Sequence, residues 1–393
     1  MRIGIDMRVV PPQGPGQQRY LWRLGSWLAQ RGHEVHFMTV LRQKGGVEAP
    51  AGTQYHDWHG RSATAVRHGV HDLALDALLL NPERSRPFRG LRANVLRAAY
   101  GTEQYLQKLR SFRNPLEYAA RSALRAVPWT LADMHWERQF YEGHRPYPDV
   151  IAQSGYMRDQ ILGSYRIPAE HVHVVHNAVD LEEYTPARRL ALREEMRARW
   201  EIPAEALCLL FLGHNFRLKG LWQMLDVLPR LRDLGRPVHL LVAGKGTGEP
   251  QRRKARRLVQ ALGLEEQVTF AGDVRPSLHA HAAADALLHL SWHDSFGFVS
   301  LEAMASGLPV VTTRYVGAAE LIVHGESGLV VDPAKDAEII DAIRRLADDG
   351  FRARLGAAAA IEGARHDEPK NFARVHDVIR TAVARGAGPI TGR

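Results

Sequence analysis

The 393-residue sequence contains one cysteine, Cys208, so no internal disulfide can form. Set in LCLLFLG, that cysteine reads as a small core residue of a buried strand. No run approaches 18 uninterrupted apolar residues, which argues against a transmembrane helix. The opening MRIGID has no apolar h-region, which argues against a secretory signal, and a cytoplasmic protein is expected. No Gly-x-Gly-x-x-Gly follows the first strand-like run, which counts against a dinucleotide-dependent oxidoreductase. No Asp-x-Asp sits at a strand end, and no metal or separate cofactor is expected. Internal repeats and low-complexity tracts are absent as well.

Acids are scarce in one place. The net charge is +9 with a pI near 9.8, and the excess is uneven. From Arg84 to Arg125 there are ten Lys/Arg against two acids, Glu103 and Glu117, with Phe88, Tyr100, Tyr105, Phe112 and Tyr118 interleaved. Such a segment suits an anionic membrane surface, a phosphorylated acceptor or nucleic acid, and equally a solvated Arg-rich helical face. A second basic run, QRRKARR at Gln251 to Arg257, leads into LVQALGL and reads as the solvated face of a helix.

At this length two domains are expected. The first half opens as strand (Arg2 to Asp6), glycine-bearing loop, amphipathic helix to about Gln30 and strand (Val35 to Val40), a βαβ start for a parallel sheet. Leu78 to Leu80, Asp149 to Ser154 and His171 to Asn177 have strand character, and Arg92 to Phe140 turns mainly helical. After a charged connection the alternation resumes, with strands near Leu207 to Leu212, Val238 to Ala243, Val268 to Ala271, Ala286 to Leu290 and Pro309 to Thr313. The expected organisation is α/β: a Rossmann-like domain over 1–178 and a second over 179–370, doubly wound and facing a cleft.

The stretch from His293 to Thr313, HDSFGFVSLEAMASGLPVVTT, carries the most chemistry. An apolar strand leads into the loop SWHDSFGF. A short helix, SLEAMAS, follows and is stopped by Gly307 and Pro309. A strand–glycine loop–helix unit aims backbone N–H groups and a helix N-terminus at one point, which suits phosphate. Asp294 and Glu302 frame the loop eight positions apart. Carboxylates repel phosphate, so they are expected to accept hydrogen bonds from sugar hydroxyls. Phosphate with sugar means a nucleotide or nucleotide sugar. In GHNFRLKGL, Arg217 and Lys219 lie near the mouth of the next helix, where cations suit a diphosphate.

This segment resembles the retaining glycosyltransferases of family 4, which have the GT-B fold. Their Glu-x7-Glu signature is followed by a run that LEAMASGLPVV matches, with Glu302 as the second Glu and Asp294 in place of the first. The substitution keeps the charge and shortens the reach by about one methylene, roughly 1.5 Å. By resemblance, Lys219 and Arg217 grip the donor diphosphate, and His214 stands where other members carry an arginine. Phe296, Gly297 and Phe298 offer backbone N–H groups, and Gly244 belongs to a Gly-x-Gly turn near the base or phosphates. VTFAGDV at Val268 to Val274 is similar to the strand edge beside which the nucleobase lies. In GPGQQRY, Gly16, Gln18 and Arg19 match the loop that approaches donor phosphate and acceptor, with Pro15 in place of its first glycine. The Asp-x-x-His-x-His strand end of many members is not found, and His71 is the nearest histidine in sequence.

What the resemblance implies is transfer of a hexose from a nucleotide diphosphate sugar, a UDP-sugar in first place, to an acceptor hydroxyl with retention. The combination is most similar to the glucosyltransferases of the lipopolysaccharide core, so the expected acceptor is a cell-envelope glycan or glycolipid. The enzyme would then be cytoplasmic and peripheral on the inner face of the plasma membrane through 84–125, with no nucleic acid expected. A last helix at about 371–393 would return to the first domain. Asp294, Lys219 and Arg217 are the expected catalytic residues, and Glu302 the ribose ligand. A GT-B sugar-nucleotide epimerase and a non-catalytic membrane-associated binding protein are the alternatives.

Overall fold

The computed structural model describes residues 1–7, 16–40, 49–82, 88, 90–98, 119 and 128–386. Two compact units divide them: 1–176 with 369–386, and 177–368.

The first unit is built on a seven-stranded parallel sheet. Its strands are β1 (Arg2–Asp6), β2 (Glu34–Thr39), β3 (Thr53–Asp57), β4 (Ala77–Leu80), β5 (Val95–Ala98), β6 (Asp149–Ala152) and β7 (Val172–Val174), in the spatial order β3-β2-β1-β4-β5-β6-β7. The order reverses between β1 and β4. The helix Gly16–Ala29 follows β1, and the pattern QQRYLWRLGSWL buries Tyr20, Leu21, Leu24 and Leu28 at helical spacing. Gly25 packs so tightly that a Cβ there would lie 2.2 Å from the Phe37 ring.

Two of these strands are not legible in the pattern. β3 is a half-exposed edge strand of sequence TQYHD. β5 is the four-residue VLRA, inside the stretch expected to be mainly helical. Flanked by β4 and β6, it is buried along its whole length. Its Arg97 is therefore not on a solvated helical face: it is 2% exposed, and its guanidinium lies 4.7 Å from the centroid of the Tyr20 ring. The helical expectation holds further on, over Pro128–Glu142.

The helix Glu368–Ala384 supplies the last piece of the first unit. Tyr20 Oη donates to Asn371 Oδ1 at 2.5 Å, and Asn371 Nδ2 donates to the His176 carbonyl at 2.5 Å. Phe372 meets the Tyr20 ring edge-on at 5.4 Å, and Arg385 reaches the buried Asp149 at 2.7 Å.

The second unit carries six parallel strands: β8 (Leu207–Leu212), β9 (Val238–Ala243), β10 (Val268–Gly272), β11 (Ala286–His289), β12 (Val310–Thr313) and β13 (Leu329–Val331). Their order is β10-β9-β8-β11-β12-β13. LCLLFL and VHLLVA are near-continuous apolar runs, as central parallel strands covered on both faces should be. One core fills one face, with Leu209, Phe211, Leu240 and Ile343. The other face is filled by Leu210, Leu241, Phe296 and Met304. The basic run at 251–257 lies on the helix Glu249–Ala261, which buries only Ala255 and Val259.

One carboxylate ties a helix to this sheet. Asp285 precedes β11 and receives Arg193 Nη2 at 2.6 Å, Arg197 Nη1 at 3.3 Å and the Cys208 amide at 2.8 Å. Burial, and after it the Asp285 charge, push the Cys208 thiol up to about 12. Removing the carboxylate would leave two arginine charges, one of them 9% exposed, with backbone carbonyls as their partners and no counter-ion there. Asp285→Ala should destabilise the second unit by about 3–5 kcal/mol, towards the lower figure because Arg193 keeps some water. Cys208 is the only thiol in the chain and is fully buried, so its alkylation reports opening of this unit. Labelling of native Asp285→Ala should be faster by roughly two to four powers of ten, at 1.4 kcal/mol per decade. An unchanged labelling rate would show that the clamp contributes nothing.

Candidate active site

All six strands of the second unit run in one direction, so the loops that follow them gather at one edge of the sheet. From β8 the chain winds outward to β9 and β10, then returns beside β8 and winds the other way through β11, β12 and β13. The crevice at such a reversal, outside the carboxyl ends of the strands, is where open α/β sheets bind ligands. Here it lies between β8 and β11. The loop after β8 carries His214, Arg217 and Lys219, and the loop after β11 carries Asp294, Phe296 and Gly297.

Lys219 and Asp294 meet there as an ion pair through Nζ and Oδ2. Local structure fixes both. Asn215 turns the chain by accepting the Leu218 amide on Oδ1 at 3.2 Å, and its carbonyl accepts the Lys219 amide at 2.9 Å. The Leu218 carbonyl takes the Trp292 amide at 2.9 Å and the Ser291 hydroxyl at 3.1 Å, which welds this turn to the loop after β11. Gly220 makes that approach possible. Its φ is +86°, and a Cβ would fall 2.3 Å from the Leu290 carbonyl oxygen.

Asp294 is held by backbone as well. Its amide donates to the Tyr315 carbonyl at 2.8 Å, its carbonyl accepts from Gly317 at 3.1 Å, and Oδ1 accepts the Phe296 amide at 3.3 Å. His289, the last residue of β11, brings Nε2 to 3.2 Å from Asp294 Oδ2. Burial alone would raise the Asp294 pKa. The Lys219 charge and the His289 contact overturn that and hold the carboxyl well below its usual range, so Asp294 is an anion at any working pH.

The helix after the loop is Phe298–Ala305, starting two residues before the expected SLEAMAS. Gly297 caps it with φ at +89°, against His289 and Val316. The first-turn amides of Phe298 and Val299 point toward the same edge as Lys219. Glu302 lies on this helix, 6% exposed. Its Oε2 accepts the Ser277 hydroxyl at 2.8 Å, and Ser277 Oγ is in turn 2.7 Å from Tyr184 Oη.

The remaining expected residues are dispersed. Arg217 is half-buried within the β8 loop. His214 is exposed, accepting the Lys245 amide on Nδ1 at 3.3 Å and lying 3.8 Å from Asp273. Partial desolvation of the ring by the neighbouring loops lowers its pKa, and the Arg275 and Lys245 charges act the same way. Asp273 also pairs with Lys245 at 2.9 Å and Arg275 at 3.2 Å, a charge cluster after β9 and β10. Gly244 ends β9 with φ at +139°, where a Cβ would sit 2.0 Å from the Gly213 carbonyl oxygen. Gly16 opens the helix after β1 in the first unit, with Gln18 buried and Arg19 half-buried beyond it. Pro15 lies outside the described residues. So does most of 84–125, of which Phe88 and Leu91 are buried. His71 is exposed in the last turn of the helix Ala63–Asp72. No group of three metal-ligating side chains occurs among the described residues, and no described helix is long and apolar enough to cross a membrane.

Three site residues carry no motif, His289, Ser277 and Tyr184, and Ser300 stands in the string SLEAMAS without a role read for it. The one available signal was a histidine closing the apolar strand ALLHL. A polar ring at the carboxyl end of a buried strand needs a partner, and the partner is Asp294.

Comparison with known proteins adds the family. The model of the family described as "Glycosyltransferase Family 4" matches residues 15–183, and that described as "Glycosyl transferases group 1" matches residues 193–362. A D-inositol 3-phosphate glycosyltransferase of Arthrobacter sp. (strain FB24) is 34% identical over 219 residues, covering 54% of this chain and 50% of the relative. One from Streptomyces bingchenggensis is 32% identical over 245 residues, covering 60% and 53%. The match thus spans about half the length of these curated relatives. Among solved structures, WaaG, a glycosyltransferase involved in lipopolysaccharide biosynthesis, superposes with a TM-score of 0.77 at 21% identity, over 96% of this chain and 99% of that one. Anabaena HepE in complex with UDP-glucose superposes at 0.70 and 18% identity, over 97% and 100%. The likeness over the whole chain fixes the fold as GT-B. The two matched segments together span most of the described residues, all but 1–7, 184–192 and 363–386, and the chain belongs to the family 4 glycosyltransferases.

Proposed function

We propose that this protein moves a hexose from a nucleotide diphosphate sugar to an acceptor hydroxyl, with retention of configuration. The observation that carries the reading is the pairing of Lys219 with Asp294 in the crevice between β8 and β11. A cation and a carboxylate together at a glycine-capped helix start answer the two needs of such a donor. The leaving diphosphate develops charge, and Lys219, Arg217 and the amides of Phe296, Gly297 and Phe298 stabilise it electrostatically. The hexose hydroxyls need an acceptor, and Asp294 supplies it. When donor enters, Lys219 passes from Asp294 to the diphosphate, and the carboxylate it leaves turns to the sugar. Glu302, oriented by Ser277, accepts the ribose hydroxyls. The Gly244 turn and His214 flank the nucleotide.

UDP-glucose is the donor to try first, since a structural neighbour is described with it. The acceptor is a cell-envelope glycan or glycolipid, as in lipopolysaccharide biosynthesis, reached from an anionic membrane face through the basic segment 84–125. A second reading has support in the curated relatives, whose name specifies inositol 3-phosphate, a soluble phosphorylated acceptor.

Lys219→Ala should lower turnover by a factor on the order of 10² to 10³, the scale of losing one preorganised electrostatic contact. Full transfer by the folded variant would refute the role. Glu302→Gln keeps the shape and loses charge-assisted bonds, so donor affinity by calorimetry should fall by roughly 1.5–3 kcal/mol. A 2′-deoxy donor should lose much less on that variant than on the wild type, whereas additive penalties would remove Glu302 from the ribose. Vesicles with anionic lipid should bind the protein in low salt and release it near about 0.5 M, where the Debye length falls well below the ~8 Å of physiological salt. A protein indifferent to such vesicles would point to the soluble phosphorylated acceptor.

A further inference from the structure

His289 is fully enclosed at the end of β11 and is used by no motif of the family as read above. Both ring nitrogens face groups of the site. Nδ1 lies 2.9 Å from Ser300 Oγ, on the helix Phe298–Ala305, and Nε2 lies 3.2 Å from Asp294 Oδ2. The ring also fills the space over Gly297, where an added Cβ would come within 2.8 Å of His289 Cε1.

The chemistry of these partners sets the proton. An ionised carboxylate only accepts hydrogen bonds, so the nitrogen facing Asp294 must carry hydrogen. Burial lowers the His289 pKa, and the ring is neutral at working pH. A neutral ring with hydrogen on Nε2 has a bare Nδ1, which takes the Ser300 hydroxyl hydrogen. The chain therefore runs in one direction, from Ser300 through His289 to Asp294.

The last link is close but not in line. Nε2 is a buried nitrogen without a well-directed hydrogen bond, and the oxygen it faces, Oδ2, is the one paired with Lys219. A buried donor 3.2 Å from its acceptor with the hydrogen bond unmade is costly to leave so. It gives Asp294 a second partner ready for the moment when Lys219 leaves.

We infer that His289 is a positioning residue: held by Ser300, its Nε2–H takes over the Asp294 carboxylate when Lys219 moves to the donor, and so fixes Asp294 on the hexose. The inference rests on the glycosyl-transfer reading above.

The tautomer makes it testable with two variants of one position. The amide nitrogen of glutamine reaches where Nε2 was, so His289→Gln keeps a donor toward Asp294. Asparagine is shorter and reaches only the Nδ1 position, so His289→Asn keeps contact with Ser300 and loses Asp294. With UDP-glucose as donor, kcat of His289→Asn should fall roughly 100-fold, the scale of a misplaced reacting group, while that of His289→Gln falls less than about tenfold. KM for the donor should change little in either, because nucleotide contacts lie elsewhere. Ser300→Ala, a smaller change to packing, should lower kcat with the melting temperature nearly kept. A merely structural ring predicts equal losses in both His289 variants, following their melting temperatures, and that result would overturn the inference. The ¹⁵N shifts of His289 give a readout apart from activity. Hydrogen on Nε2 in the wild type, shifted by Asp294→Asn, supports the positioning role, and hydrogen on Nδ1 overturns it. A wild type that turns over no sugar nucleotide yet keeps the Nε2–H signature would refute the transfer reading while leaving this geometry standing.

Discussion

The ion pair between Lys219 and Asp294 is the interaction on which the rest of the second unit's site depends. Both charges are mostly out of water, where an unpaired ion is strongly disfavoured. Each needs the other while the site is empty, and each has an alternative once a donor arrives: a diphosphate for the cation, sugar hydroxyls for the anion. The pair keeps two charges ionised and aimed at one crevice without a ligand. A carboxylate held far below its ordinary pKa is acceptor-only, which is the state a sugar hydroxyl requires.

The scaffold around the pair is rigid for identifiable reasons. Gly220 lets the β8 loop touch the Leu290 backbone, and Ser291, Trp292 and Leu218 close the contact with hydrogen bonds. Asp294 is threaded between the Tyr315 carbonyl and the Gly317 amide. Thr313 donates to the Ser291 carbonyl at 2.6 Å, tying the end of β12 to the same loop. Three neighbouring strand ends, those of β8, β11 and β12, thus share one hydrogen-bonded edge.

Much of this was legible from residues. β8 and β9 fall where LCLLFL and VHLLVA place them, because central parallel strands are continuous apolar runs. The helix bearing Glu302 follows from the gap between Gly297 and Gly307. The strands that were not legible have the opposite character. β3 is a polar edge, β5 is four residues with a buried arginine, and β13 is three residues, each too short or too mixed for a period to appear. Within the site, Asp294, Glu302 and Lys219 stand in recognisable strings. Ser300 stands in one too, but nothing in the string marks its partner. Ser277 and Tyr184 find partners 25 and 93 positions away, and His289 meets Asp294 and Ser300 only through the folding of the loop after β11. His289 and Asp294 meet only because β11 and the Val316 turn converge on Gly297.

A crystal structure of the protein with an intact or non-hydrolysable UDP-hexose tests this account most directly. The account predicts the diphosphate at the amides of Phe296 to Phe298, with Lys219 Nζ on a phosphate oxygen and no longer on Asp294. His289 Nε2 should then be in line with Asp294 Oδ2, and Asp294 should contact a hexose hydroxyl. A nucleotide bound away from the crevice between β8 and β11, or one bound there with Lys219 still paired to Asp294, would contradict it.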